Sequence, residues 1–200
     1  MNSWDEKFDE AHYIYGTEPN DWLKENIYEK GGLKIALLAE GEGRNAVYLA
    51  KLGHEAGTYD YSKVGLDKTI RLAESEGVEI ETHLQDITIT DALPKNFYDI
   101  AVNIFGHVPA EGKKNMLKNL IDCVKPGGRI IFEFYSKRQL EFQTGGPKKS
   151  DMLYNLRELE EEFSHRDVEI ISLSEKIVER HEGTMHRGRS AVIEGHLKKK

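Results

Sequence analysis

The chain has 200 residues, 38% of them hydrophobic and 32% charged, with a formal net charge of -7 and a single cysteine, Cys123. This length predicts one compact domain that buries roughly 70% of its unfolded surface. The acidic balance argues against a nucleic-acid partner, which would need clustered Lys and Arg, and one cysteine excludes an internal disulfide and a thiolate metal cluster.

The first residues and the hydropathy indicate where the protein acts. No apolar run approaches the roughly 20 residues of a membrane span. The first ten residues are acidic, where a secretory signal would be basic and then apolar. We therefore expect a cytoplasmic protein with no membrane partner, present as a monomer or a weak dimer.

Two short helices are predicted ahead of the first strand. Ser3 and Glu6 have the spacing of a capping box, which would open the first helix. Pro19 suits the first turn of the second helix, and the pair Gly31-Gly32 is expected to end it.

From residue 35 onward the chain alternates short apolar runs with amphipathic segments that begin at capping residues or end at glycines. Strands alternating with helices form a parallel sheet, and the last two alternating segments suit a hairpin. We predict an α/β fold, a Rossmann-like doubly wound, mostly parallel seven-stranded sheet closed by a C-terminal antiparallel hairpin. The expected strands are 35–39, 55–60, 79–84, 98–104, 129–135, 169–179 and 190–197, and the expected helices 44–52, 63–76, 110–124 and 152–163.

The strongest functional signal is the hexapeptide GEGRNA, directly after the first strand. Gly41 and Gly43 allow the backbone to approach a ligand closely, and the helix that follows offers free N–H groups to a carboxylate or another anion. The spacing also satisfies the dinucleotide fingerprint G-x-G-x-x-G/A, with Asp60 about where that fingerprint places its ribose-binding acid. Taken alone, the pattern equally fits a tight turn followed by a structural aspartate.

Polar residues also follow other predicted strands. Asp86 lies after the third strand and Asn103 near the end of the fourth. In a parallel α/β sheet, ligands bind outside the carboxyl ends of the strands. These residues, together with the glycine turn and Asp60, therefore predict a single ligand site at one edge of the sheet.

Six segments carry a resemblance to a known family: AEGEGRNAVYLAKLG, TYDYSKVGL, LQDI, NIFGHVP, KPGGRIIFEFY and TGGPKKSDML. Together they resemble class I S-adenosylmethionine-dependent methyltransferases of the tellurite-resistance-like subgroup, over nearly the whole chain. The resemblance implies S-adenosylmethionine as the cofactor and methyl transfer to a small-molecule acceptor as the reaction.

The resemblance also implies which residues contact each part of the cofactor. A carboxylate suits both a ribose diol and an exocyclic amine, because it accepts hydrogen bonds from each. The implied contacts are Gly41, Gly43 and Asn103 for the methionine part, Asp60 for the ribose, and Asp86, Tyr61 and Ile87 for the adenine.

The chain departs from the acid-x-G-x-G-x-G pattern of that family in two places, since Leu37 replaces the acid and Ala39 the first glycine. Glu40 is a candidate to replace the missing acid and to face the methionine ammonium group; the alternative is a solvated side chain. Arg44 and Asn45 open the next helix, where Arg44 would either pair with the methionine carboxylate or face solvent.

A lid over the site is predicted from two loop-like segments, YIYGTEP and QTGGPKKS, which place aromatic side chains or glycines between elements. Residues 1–30 are interpreted as N-terminal lid helices of a single domain, 1–200. The candidate substrate-pocket residues are Tyr13, Tyr15, Gly16 and Gly145, although each tyrosine equally suits half-buried packing.

In-line transfer of a methyl group requires the protein to align the nucleophile and to exclude water. A base is useful only if the nucleophile carries a proton, and His107, just beyond the fourth strand, is the candidate. Its alternative is a structural histidine bonded to the backbone. His181, His186 and His196 match no standard ligand spacing, so we predict no metal site.

Two other functions stay open at this point. An NAD-binding Rossmann oxidoreductase would use the same fingerprint, but no substrate domain is identifiable. A noncatalytic adenosylmethionine-binding protein would keep the cofactor pocket without an acceptor site, and the departures at Leu37 and Ala39 fit that interpretation.

Overall fold

A computed structural model describes residues 2–200 as one seven-stranded sheet with helices on both faces. Short 3-10 turns at Ala110–Gly112, Lys137–Glu141 and Ser150–Met152 connect some of these elements. The strands are β1 Lys34–Leu38, β2 Glu55–Asp60, β3 Glu81–Leu84, β4 Tyr98–Ile104, β5 Val124–Tyr135, β6 Val168–Glu182 and β7 His186–Lys199. The helices are α1 Ser3–Phe8, α2 Asp21–Asn26, α3 Arg44–Lys51, α4 Lys63–Ser75, α5 Lys113–Asp122 and α6 Leu156–Ser164.

The order of strands across the sheet is β3-β2-β1-β4-β5-β7-β6. The strands β1 to β5 pair with one another in parallel. The strand β7 runs antiparallel to both of its neighbours, β5 and β6. The predicted mostly parallel sheet with a closing antiparallel hairpin is therefore confirmed. The progression of strands reverses at β1, with β2 and β3 on one side of it and β4 and β5 on the other.

Alternation along β1 shows how the sheet separates two apolar cores. Ile35 and Leu37 pack with residues of α2 and α3, while Ala36 and Leu38 face the opposite side with α5 and α6. All four side chains are at most 1% exposed. A strand buried on both faces needs apolar residues at every position, which is why this run does not alternate with polar residues.

The first helix differs from the prediction at its cap. The capping box of α1 consists of Asn2 and Asp5 instead of Ser3 and Glu6. The Asn2 side chain accepts the N–H groups that open the helix, and the Asp5 side chain accepts the N–H of Asn2 in return. The predicted helix is therefore present, but it begins one residue earlier than the predicted cap implies.

The second helix is shorter than the prediction at both ends. It begins after Asn20, whose side chain accepts the N–H of Leu23, so Pro19 lies outside its first turn. It also ends at Asn26, and an irregular segment therefore separates it from the pair Gly31-Gly32.

Several later boundaries also differ. The strand β5 begins at Val124, ahead of the predicted start at residue 129, and pairs there with Tyr98 of β4. The helix α5 begins only after the 3-10 turn that precedes it. The helix α6 begins at Leu156, because Tyr154 forms a bridge to Ser136 and is not available to a helix.

The outer edge of the sheet is formed by β6, a 15-residue strand. Its pairing with β7 shifts register between Ile170 and Ser172, which leaves Ile171 as an inserted, exposed residue. Within residues 2–200 no helix has the length and hydrophobicity that crossing a membrane requires.

Candidate active site at the carboxyl edge of the sheet

The turns that follow β1 and β4 meet at the carboxyl edge of the sheet. A Cβ built on Gly106 would lie 2.7 Å from the Cβ of Ala39 and 2.3 Å from Oδ1 of Asn103. Ala39 (φ 53°) and Phe105 (φ 58°) both adopt the left-handed conformation that residues other than glycine rarely adopt. Such backbone strain concentrates at ligand sites, and this is the position where open α/β sheets bind ligands.

The glycine turn is packed against protein on its outer side. Gly41 (φ 67°) and Gly43 (φ 88°) are both left-handed. A Cβ on Gly41 would lie 2.9 Å from the ring of Phe8, and one on Gly43 would lie 2.7 Å from the side chain of Thr69. Both glycines are therefore required by the packing of α1 and α4, while their contact with a cofactor stays a prediction.

Glu40 occupies the N-terminus of α3. Its carboxylate accepts hydrogen bonds from the backbone N–H groups of Asn45 (2.7 Å) and Ala46 (3.0 Å) and from the Asn45 side chain (3.1 Å). Glu40 is therefore not a solvated side chain. The helix N–H groups that were expected to meet a ligand anion are also partly taken, because Glu40 already supplies the negative charge there.

Asp60, at the end of β2, holds the glycine turn from the other side. Its Oδ2 accepts the N–H of Gly41 at 2.9 Å, and its Oδ1 accepts the N–H of Ser62 at 2.8 Å. Burial raises the pKa of this carboxyl to about 6, although the two backbone donors act in the opposite direction. The ring of Tyr61, next in the chain, is 44% exposed at the same edge.

The residues predicted for the adenine differ in accessibility. Asp86 is exposed, and its Oδ1 accepts both the N–H and the hydroxyl of Thr88, at 2.8 and 2.6 Å. Ile87 is buried and belongs to the apolar core, where Asn119 binds its carbonyl oxygen. Asp86 and Tyr61 thus present open surface at the site, whereas the Ile87 side chain packs inward.

Asn103 and His107 are both bonded inside the protein. Asn103 is fully buried and accepts the N–H of Gly106 at 2.9 Å, which fixes the turn after β4. The Nε2 atom of His107 accepts the N–H of Tyr135 at 3.0 Å, so Nδ1 carries the proton and donates it to the carbonyl oxygen of Phe105, also at 3.0 Å. Burial lowers the pKa of His107 to about 4.

The geometry of His107 argues against the general-base role predicted for it. A base needs a free lone pair within hydrogen-bond reach of the acceptor, and both ring nitrogens of His107 are engaged with the backbone. The structural alternative fits the observed contacts.

Arg44 neither faces solvent nor is free to meet a carboxylate of the cofactor. Its Nη2 atom pairs with Glu182 at 3.0 Å, and both side chains are largely buried. Arg180 contacts Glu182 at 3.3 Å and also pairs with Glu133, a carboxylate with 0% exposure in β5. Asn20 donates to Glu133 at 2.6 Å and to Glu182 at 3.1 Å. We call these five residues the edge network.

A second buried ion pair attaches the N-terminal segment, residues 8–16, to the glycine turn. Glu42 lies between the two glycines and accepts the N–H groups of Ile14 (2.9 Å) and Tyr15 (3.4 Å). Its other oxygen pairs with Lys68 of α4 at 2.5 Å, with both side chains 3% exposed. The Lys68 ammonium also donates to three backbone carbonyl oxygens of residues 8–12 at 2.7–3.2 Å.

Three of the four predicted pocket residues lie around the turn of the β6–β7 hairpin. The Tyr15 ring packs against His186, with centroids 4.5 Å apart. Gly16 approaches the backbone of the hairpin turn, and Gly145 approaches His186 from another side. Tyr13 lies away from this group, since its hydroxyl bonds to the carbonyl oxygen of Lys68 in α4.

Two clefts accompany these features. One, of about 190 Å³, lies between the segment 15–21 and the end of β6, next to the edge network. The other, of about 410 Å³, lies at the opposite edge of the sheet, among Lys34, Gly57 and Phe97. The larger cleft is therefore remote from the glycine turn and from the residues that the sequence singled out.

Two features were not predicted from the sequence, the edge network and Glu42. A signal was available for Glu133, the one charge in the apolar stretch IIFEFY, since an acid on a buried strand requires a partner. No pattern in the sequence names Arg180 as that partner. Glu42 stands at the variable position of the glycine motif, where the motif itself specifies nothing.

Comparisons with known proteins agree with this architecture. Residues 35–128 match a family model described as a methyltransferase domain. The fold and this match indicate the class: the chain is similar to class I methyltransferases, and the matched stretch covers just under half of it. Among its curated relatives is a probable S-adenosyl-L-methionine-dependent methyltransferase, TehB from Haemophilus influenzae, which is 25% identical to it over 95 residues, or 48% of this chain.

Solved structures show the likeness of fold over more of the chain. The crystal structure of Haemophilus influenzae TehB has a TM-score of 0.69 and 23% identity, covering 88% of this chain and 60% of that one. A structure from work on conversion of a disulfide bond into a thioacetal group during echinomycin biosynthesis has a TM-score of 0.76 and 15% identity, covering 95% and 85%. The sequence likeness to the curated TehB covers only 33% of that protein's length.

Proposed function

We propose that this chain transfers the methyl group of S-adenosylmethionine to a small-molecule acceptor by in-line displacement, as a single-domain cytoplasmic enzyme. The observation that carries the proposal is the strained meeting of the β1 and β4 turns beside Asp60, in a chain that matches a methyltransferase domain. The antiparallel β7 between β5 and β6 departs from the strand order 3-2-1-4-5-6 of dinucleotide-binding folds. That departure favours a methyltransferase over the oxidoreductase alternative.

The residues at this edge fit an adenosine. The Asp60 carboxylate is desolvated and fixed by two backbone donors, and each of its oxygens keeps a further lone pair for a hydroxyl group. Asp86 keeps its Oδ2 atom without a partner in the described part of the chain, and Tyr61 has an exposed ring beside Asp60. These three residues would hold the ribose and the adenine.

The bound cofactor supplies an electrophilic methyl group on a sulfonium, so the chain has to orient the acceptor and exclude water. The N-terminal segment is in position to cover the site, because Glu42 and Lys68 fasten it beside the glycine turn. Glu40 places a carboxylate near the predicted methionine position, where a negative charge favours an ammonium group.

Calorimetric titration tests the cofactor directly. S-adenosylmethionine and S-adenosylhomocysteine should each bind one to one, and NAD should not bind. Asp60→Asn should weaken binding by about 1.5–3 kcal/mol, the range for hydrogen bonds to a charged group, which is roughly 10- to 150-fold. Asp67→Asn, on the exposed side of α4, is the matched control and should bind as the wild type does.

Binding of NAD without either adenosyl ligand would contradict the proposal. Wild-type affinity in a folded Asp60→Asn protein would remove Asp60 from the site. A screen of methyl acceptors then separates an enzyme from a noncatalytic binder, because only an enzyme produces S-adenosylhomocysteine in an acceptor-dependent manner.

A further inference from the structure

Two histidines lie near the carboxyl edge, and their hydrogen bonds differ. His107 has both ring nitrogens bonded to the backbone. His186, at the start of β7, uses only Nδ1, which lies 3.3 Å from Oε2 of Glu182. Its Nε2 atom has no hydrogen-bond partner within residues 2–200. This nitrogen is not fully enclosed, because the fully enclosed polar atoms without a partner in that part of the chain do not include it.

Glu182 is held as an anion that orients this imidazole. Burial alone would raise its pKa, but the hydrogen bond from His186 and the charges of Arg44 and Arg180 bring the pKa well below its ordinary value. A carboxylate can only accept a hydrogen bond, so Nδ1 of His186 carries the proton. The lone pair of a neutral His186 is therefore on Nε2.

His186 is surrounded by aromatic side chains, one of which, Tyr15, is a predicted substrate-pocket residue. Its ring lies 4.5 Å from that of Tyr15, 4.9 Å from that of Phe105 and 5.4 Å from that of Tyr135, measured between centroids. Phe105 and Tyr135 stand at the carboxyl ends of β4 and β5. His186 thus lies between the N-terminal segment and the strand ends.

The close packing around Gly145 brings a second polar group near His186. A Cβ at this glycine would lie 3.2 Å from Cδ2 of His186 and 3.4 Å from the hydroxyl oxygen of Tyr135. That hydroxyl is fully buried and forms no well-aligned hydrogen bond inside residues 2–200, with Ser190 as a polar neighbour. A buried hydrogen-bond donor without a partner is rare enough to require an explanation. A methyl acceptor bound beside the Tyr135 hydroxyl would supply the missing hydrogen-bond partner.

We propose that His186 is the general base of methyl transfer and that Glu182 positions it, which makes the acceptor a small molecule whose nucleophilic atom carries a proton. The inference rests on the proposed function. The arrangement follows the general logic of a base whose second nitrogen is oriented by a carboxylate. Among the described residues no cluster of His, Cys, Asp and Glu suits a metal ion, so His186 is not assigned as a ligand.

In this step the nucleophilic atom of the acceptor forms its bond to the methyl carbon while the sulfur–carbon bond breaks, and the electron pair of that bond stays on sulfur as a neutral thioether. The proton of the acceptor goes to Nε2 of His186. The positive charge thus passes from the sulfonium to the imidazolium, where Glu182 stabilises it.

Nuclear magnetic resonance of protein labelled with ¹⁵N-histidine tests the base without any acceptor. The spectrum of His186→Asn identifies the signals of His186 by their loss. We expect the neutral Nδ1–H form at pH 7, with Nε2 unprotonated, and protonation of Nε2 as the pH falls. A proton on Nε2 at pH 7 would overturn the proposal, because the lone pair would then face the carboxylate.

Two thiol probes test the reaction. An alkyl thiol such as benzyl mercaptan is protonated at pH 7, whereas 2-nitro-5-thiobenzoate is ionised. His186→Asn should slow single-turnover methylation of the alkyl thiol by about 10²- to 10⁴-fold, the usual share of a general base, and should change the rate with the ionised thiol little. Glu182→Gln should slow methylation of the alkyl thiol by about 10- to 100-fold, because His186 loses its hydrogen bond to a charged carboxylate.

The pH profile adds a readout that a structural role would not move. The titratable and charged groups near His186 are Glu182, Arg44, Arg180, His107, Tyr15 and Tyr135. With the alkyl thiol, the wild-type rate should be level around pH 7 and decline at low pH as His186 takes up a proton, whereas the rate of the His186→Asn variant should follow the ionised fraction of the thiol and rise steadily with pH. The matched control is His165→Asn, at an exposed histidine that follows α6, and it should behave as the wild type does.

S-adenosylhomocysteine titration of each variant separates the two proposals. Absence of binding in the wild type overturns the proposed function itself. Intact binding with an equal loss of rate for both thiols, or with no loss for either, overturns only the assignment of His186. If the wild type methylates neither thiol, the resonance experiment decides alone.

Discussion

The two buried ionic clusters of this chain are built on different principles. Around Lys68 the charge is surrounded by groups of fixed geometry, since three backbone carbonyl oxygens and the Glu42 carboxylate take up the ammonium. In the edge network, carboxylates and guanidinium groups from β5, β6 and α3 hold one another, and one of those carboxylates also binds a histidine.

The difference separates a structural role from a chemical one. A charge saturated by backbone groups fastens two segments together and has nothing left to offer a ligand. A carboxylate held by two guanidinium groups stays ionised, so it can orient an imidazole and stabilise its protonated form. Substitutions in each cluster, and then at the titrating groups beside them, test this distinction.

The largest effect is expected from Arg180→Met in the edge network. It leaves Glu133 without its guanidinium partner at a fully buried position, so the free energy of unfolding should fall by about 3–5 kcal/mol. Urea denaturation measures it. Lys63→Met, which breaks an exposed pair on α4, is the control and should leave the stability nearly unchanged. If Arg180→Met behaved like this control, the network would not be a buried ionic unit.

Lys68→Met should cost about 3 kcal/mol, at the lower end of the range for a broken buried pair, because two backbone N–H groups still stabilise Glu42. Amide hydrogen exchange should rise selectively in residues 8–16, which Lys68 fastens. Uniform acceleration across the chain, with no excess in this segment, would contradict the fastening role. The same variant should retain the neutral Nδ1–H form of His186.

The smallest effect concerns pH and has opposite signs at two groups. The folded-state pKa of His107 is lowered from 6.5 to about 4, so below pH 6.5 the unfolded chain takes up a proton that the folded chain does not. Acidification from pH 7 to 5 should therefore lower the free energy of unfolding by about 2 kcal/mol through this residue. The pKa of Asp60 is raised to about 6, so between pH 7 and pH 5 the folded chain takes up a proton that the unfolded chain does not. This uptake should raise the free energy of unfolding by about 1 kcal/mol.

Urea denaturation at pH 7 and pH 5 separates these contributions. His107→Phe removes the first group, so the variant should lose about 2 kcal/mol less than the wild type between the two pH values. Asp60→Asn removes the second, so its loss should be about 1 kcal/mol greater. Identical pH dependence in His107→Phe and the wild type would mean that His107 titrates normally in the folded state.

The parts of the fold that the sequence predicts depend on local patterns. The bounds of β2 and β4 match the prediction, and α4 is capped by Ser62 as expected. Local patterns mislead where two candidates compete, as at the first helix, where Asn2 and Ser3 are both suitable caps. The parallel part of the sheet also follows from a general rule, because strands alternating with helices favour parallel neighbours.

The candidate site is less accessible to prediction because its contacts are long-range. Arg44 and Glu182 are separated by 138 positions, and no periodicity connects them. His107 was chosen for its place after a strand, but only the structure shows that backbone groups occupy both of its nitrogens. His186 lies in a stretch interpreted as a hairpin connection, so its position beside Phe105 depends on how the hairpin folds back.

The inserted residue in β6 has a consequence for contacts between molecules. A 15-residue strand at the rim of a sheet offers a long row of unpaired N–H and C=O groups to any other extended segment. The bulge at Ile171 interrupts the regular spacing of that row, and Glu169, Glu175 and Lys176 add charges along it. A strand from another chain therefore cannot pair continuously along this rim, which protects the protein from edge-to-edge aggregation.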